Sequence, residues 1–79
     1  MRADHLAKEA ERLKSDEILN RALDEIRREA LEALAVAPAD QPIAIICLQQ
    51  RAAVVELIRA TLDRYIMVAE VQENLGSFA

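Results

Sequence analysis

Both prolines of this chain stand in one short stretch, Ala37-Pro38-Ala39-Asp40-Gln41-Pro42, and its single glycine is residue 76. Met1 to Ala37 and Ile43 to Leu75 are therefore two uninterrupted runs without either breaker. The first run is built from Ala, Leu, Glu, Arg and Lys, the residue types that lose least entropy in a helix. Pro38 drives Ala37 out of the helical region and ends that run. Asp40 is placed to cap the next helix, with Pro42 tolerated in a first turn whose amides lack intrahelical partners. A connection of about five residues joins antiparallel neighbours. The expected fold class is all-α: one helical domain over residues 1–79, an antiparallel helical hairpin with arms 16–37 and 43–75. A Pro-containing loop at 38–42 joins the arms, 1–14 forms an N-terminal helical segment, and 76–79 is a tail.

Spacing supports these helices. Leu19, Leu23, Ile26, Ala30 and Leu34 advance by four, three, four and four, a single helical stripe. Asp4–Lys8, Glu17–Arg21 and Asp24–Arg28 are acid-before-base pairs four apart, the favourable orientation on a helix. Upstream, Leu6, Ala10 and Leu13 form a second stripe, out of phase because Leu13 and Leu19 are six apart. Either a short helix of about Ala3 to Lys14 precedes a second from Asp16, or one helix slips phase there. Ser15 is the expected N-cap at that join, with Asp16 and Glu17 as first-turn acids. The first 14 residues are the part most expected to fray.

The second run asks for more cover than one arm supplies. Ala44, Leu48, Val55, Ile58, Leu62, Ile66 and Ala69 form one stripe; Ile43, Ile46, Val54, Leu57, Tyr65, Val68 and Val71 form another, displaced around the axis. Between Ile43 and Val71, 20 of 29 residues are apolar, a broader arc than a hairpin helix needs. Ile43 to Leu48 alone has strand-like composition, but no second strand exists to pair with it. Self-association into a helical bundle is the economical cover, most simply a dimer, with larger rings or a different protein partner as competitors. The residues expected at the assembly interface are Ile46, Val54, Leu57, Ile58, Tyr65 and Val68.

Chemistry is sparse. There is no nucleophile elbow, phosphate loop, paired His at four-residue spacing or Cys-x-x-Cys, and His5 with Cys47 cannot build a four-ligand zinc site. Cys47 is expected as a small buried hydrophobe and His5 as solvent-exposed. No catalytic residue, cofactor or metal is expected; the chain is expected not to be an enzyme. Ten basic against fourteen acidic side chains give a net charge of −4, the wrong sign for displacing counterions from phosphates. Arg21, Arg27 and Arg28, and Arg51, Arg59 and Arg64, have acids within one turn and are read as ion-paired surface. Gln49-Gln50-Arg51 is either a register-fixing polar layer or an exposed flank. Phe78, in the terminal Gly76–Ala79 segment, is expected to pack back on the helix or dock on a neighbour. The chain has neither a signal-like apolar segment nor an uninterrupted membrane span, so an intracellular, cytoplasmic location is expected.

Ser15-Asp-Glu-Ile-Leu-Asn-Arg-Ala-Leu-Asp-Glu-Ile-Arg-Arg-Glu-Ala-Leu-Glu-Ala-Leu34, the later Asp40, and Leu48-Gln49-Gln50 followed by Val55-Glu56-Leu57-Ile58 resemble a loose class of short helical proteins. These are encoded in structural-gene clusters of tailed phages and prophages, and the resemblance covers roughly residues 13–68. It implies a phage or prophage origin and carries over no functional residue. The leading expectation is a non-enzymatic, self-associating protein acting by protein–protein contacts, a structural or packaging accessory in the host cytoplasm or on the virion. A small acidic inhibitor of a host defence complex, such as an anti-CRISPR protein, is the alternative. The third class is a dimeric helical-bundle nucleic-acid binder that gathers its arginines across a two-fold axis.

Overall fold

The computed structural model describes residues 2–76, with side chains through residue 71. Three helices account for nearly all of them: α1 (Ala3–Lys14), α2 (Glu17–Ala35) and α3 (Pro42–Gly76). The all-α expectation holds, with no strand among the described residues. Ion pairs between elements give the directions. Lys14 meets Asp63, Asp24 meets Arg59 at 2.6 Å, and Arg27 meets Glu56 at 3.2 Å. Numbers rise on one side as they fall on the other, so α1 and α2 lie end to end and antiparallel to α3.

The step between α1 and α2 follows from local chemistry. The cap is Asp16, not the expected Ser15: its carboxylate accepts from the Leu19 amide at 2.9 Å. Ser15 instead closes α1, its amide donating to the Glu11 carbonyl. Asn20 then clasps the join, its Nδ2 donating to the Lys14 carbonyl at 2.7 Å and the Asp16 carbonyl at 3.0 Å. An acceptor left over at the end of α1 is thereby satisfied. Asp16→Ala should lower stability by about 1 kcal/mol, read as a lower urea midpoint with unchanged helicity in water.

The loop also departs from expectation at both of its ends. Asp40 does not cap α3: Pro42 is the first helical residue, so the carbonyl that accepts the first helical amide, from Ile45 at 3.2 Å, belongs to Gln41. The fixed φ of proline suits that first position, which leaves Asp40 one residue too early. α2 ends at Ala35, ahead of the residue that Pro38 constrains, with Val36 at φ −112°, ψ 7°. Ser77, Phe78 and Ala79 lie outside the described residues, and with them the expectation for the terminal segment.

The inner seam of α3 runs Ile45, Leu48, Ala52, Val55, Arg59, Leu62, Ile66 and Ala69, spaced alternately three and four apart. All of these are buried or half-buried, and that spacing is the heptad pattern of helices that stay in register over a long contact. Opposite them stand Ala7, Ala10, Leu23 and Ala30. The buried alanines leave no bulk between the helices and let the backbones approach closely. Of the first expected stripe, Ala44 and Ile58 are exposed instead; α3 is apolar nearly all round, so its sequence offered two seams a fraction of a turn apart. α1, expected to fray, is docked over the C-terminal half of this seam, with Ala7 8% and Ala10 2% exposed.

The resulting body is thin. It measures 60 × 24 × 17 Å with a radius of gyration of 17.3 Å, against about 12 Å for a compact domain of this length. Its accessible surface is 6193 Å², where a compact monomer of this mass would expose roughly 4,800 Å². Among the described residues the buried apolar side chains are three alanines, Leu23 and Val55, a small core for a single copy.

Candidate functional site

The two layers differ in what they show to solvent. α2 turns outward Glu17, Arg21, Glu25, Arg28, Glu29 and Glu32, with Arg28 paired to Glu25 and Glu32 at 3.9 and 3.4 Å. α3 turns outward a second apolar face. Among the described residues twelve large hydrophobic side chains stand exposed, and eight of these are on α3, opposite and beside its inner seam. A helix apolar on all sides is normally covered on all sides. Here α1 and α2 cover one.

Five of the six residues expected at an interface lie on that uncovered side: Ile46 is 50% exposed, Val54 48%, Leu57 62%, Ile58 40% and Val68 43%. Tyr65 is half-buried, with the Arg64 guanidinium 5.9 Å from its ring centre, and sits at the edge of the strip rather than within it. Three residues join the strip that were not singled out for it, Ile43, Met67 and Val71, at 76%, 61% and 50% exposure. Cys47 is exposed beside Ile46, correcting the expectation that it is buried. Its apolar neighbours in sequence belong partly to the outer face. Gln49, Gln50 and Arg51 are exposed and form no polar layer of the inner seam.

The polar layer of the inner seam is Arg59. It occupies a seam position with its side chain 28% exposed, bonding Asp24 at 2.6 Å, Glu56 at 3.9 Å and the Asn20 carbonyl at 3.5 Å. Together with Lys14–Asp63 it pins the α1–α2 join to α3. The signal for it was present in the three–four spacing from Ile45 to Ala69, which a charged residue interrupts once. Partly exposed pairs of this kind contribute little net stability, and an apolar residue of similar size fits such a position well. Arg59→Leu should keep the fold, shift stability by less than about 1.5 kcal/mol, and reduce the salt dependence of the urea midpoint. Loss of helicity in water would show that the pin is indispensable.

Concavities are open surface grooves. One lies on the charged side of α2, between Ser15, Ile18, Arg21, Asp24 and Arg28; another lies where Ala7 and Glu11 of α1 meet Ile66 and Ala69 of α3. Neither brings a nucleophile to a base. Among the described residues no cluster of His, Cys, Asp or Glu is arranged to hold a metal ion, and no helix is long and apolar enough to cross a membrane. His5 is exposed near the start of α1.

The chain matches no protein-family model, no curated protein and no solved structure.

Proposed function

We propose that this chain is a hairpin with a split first arm that works by protein–protein contact, assembling with copies of itself through the outer face of α3 into a helical bundle. One observation carries the reading. α3 is apolar on two opposite sides, and intramolecular packing uses one of them. Surface in excess of a compact monomer, on the order of 1,000 Å² by the scaling above, is comparable with what one partner contributes to a specific interface. No catalytic residue, cofactor or metal takes part.

The concentration dependence of the melting midpoint tests this reading. Folding coupled to self-association makes the midpoint rise with protein concentration, whereas a self-sufficient monomer melts at one temperature throughout. The biological setting proposed is that of a phage or prophage structural or packaging accessory, resting on the resemblance of residues 13–68. Cross-linking in phage-producing cells tests it: recovery with virion proteins supports the accessory, and recovery with a defence-complex subunit replaces it by the inhibitor.

A further inference from the structure

Resting on self-association through α3, we infer that the assembly is a two-fold dimer in which the α3 helices pack back to back, antiparallel, crossing at Leu57. The outer face is centred on the line Ile43, Gln50, Leu57, Arg64 and Val71, each seven residues from the next and all exposed. That line reads the same from either end: aliphatic, polar, aliphatic, polar, aliphatic. A two-fold interface demands such self-complementarity, because residue i must suit residue j and j must suit i.

Centring the axis on Leu57 sets Ile43 against the partner's Val71, Gln50 against the partner's Arg64, and Leu57 against the partner's Leu57. On one side of this line Cys47 then meets the partner's Val68; on the other, Ala53 meets the partner's Ala60, where small side chains permit close approach. Thr61 lies inside the strip, and its hydroxyl donates to the Leu57 carbonyl of its own helix at 2.7 Å, so it asks nothing polar of the partner. Every apolar side chain on the central line thus meets an apolar one. The two polar interruptions meet each other, the Gln50 side-chain carbonyl accepting from the guanidinium. A parallel pair would set Arg64 against the partner's Arg64, like charges facing across an apolar strip, which is unfavourable. Antiparallel registers shifted by one heptad set Arg64 against the partner's Ile43 or the partner's Leu57, an unpaired charge against an aliphatic side chain. The strip from Ile43 to Val71 is roughly 40 Å long at 1.5 Å per residue, enough for a standard interface when two helices keep heptad register.

Cys47, the only cysteine, reports the register directly. In this dimer the two Cys47 side chains lie about 30 Å apart along the axis, far beyond the span of a disulfide. Under mild oxidation at low micromolar concentration, the wild-type dimer should therefore stay uncross-linked. Val68→Cys, which keeps Cys47, and the double variant Cys47→Ser/Leu57→Cys should both convert to covalent dimers. Gln50→Glu should tighten the dimer about threefold or more at low salt by pairing with the partner's Arg64. Rapid cross-linking of wild type, or a Leu57→Cys dimer that stays reduced, would overturn the antiparallel register while leaving self-association standing. A monomeric mass for every variant before oxidation would overturn self-association itself. The substituted positions are exposed in the single copy, so the substitutions spare its core.

Discussion

Leu57→Asp should convert the assembly to a monomer without removing its helices. Leu57 is 62% exposed in one copy, so the substitution breaks no contact with α1 or α2. In the dimer proposed, it places two carboxylates against each other at the two-fold axis. An unpaired charge in an apolar contact costs several kcal/mol, and both copies carry one. The dissociation constant should rise at least about a hundredfold. Light scattering reads the loss of mass, and far-UV circular dichroism reads retention of helix. The melting midpoint should also fall and cease to depend on concentration. A variant that stays as large as wild type would place the contact elsewhere.

Val55→Asp should do the opposite, destroying the fold at one residue's remove from a tolerant position. Val55 is 1% exposed and central in the inner seam, whereas Val54 is 48% exposed. A carboxylate at 55 has no cation placed to meet it, because Arg59 is already engaged with Asp24 and Glu56. The penalty of several kcal/mol is comparable with the whole stability of a small domain, and this domain has little other core to absorb it. Helicity should collapse in water for Val55→Asp. Val54→Asp should remain helical and lose only assembly. Equal behaviour of the two variants would mean that the inner and outer faces are misassigned.

The helices were legible in the sequence because breakers are so unevenly placed: Pro38 and Pro42 bound the loop, and the six-residue step from Leu13 to Leu19 marks the join. What was not legible were choices between near-equivalent neighbours. Ser15 and Asp16 are both good capping residues, and the deciding fact was how far α1 runs before its last carbonyls need partners. Asp40 loses its capping role because proline occupies the first helical position two residues later, which makes Gln41 the cap. α3 posed the deeper ambiguity. With apolar residues over most of its circumference, periodicity identifies a helix but does not choose which side meets α2. Ile58 and Ile45 could each have faced inward, and Cys47 inherited its expected burial from neighbours that face both ways. Arg59 is hidden as a seam residue because its charge points to the surface, although the three–four spacing runs through it. The outer strip itself, by contrast, was visible as apolar surface that a single hairpin could not cover.

If a second copy closes the uncovered side of α3, the molar mass in solution shows it. Gel filtration alone misleads for a body 60 Å long and 17 Å thick, since an elongated monomer elutes early. Light scattering on the eluting peak is independent of shape. Over at least a tenfold range of concentration, wild type should show twice the 8.8 kDa chain mass. A folded species of 8.8 kDa at every concentration would contradict it, and would mean that the apolar outer face of α3 stays in water.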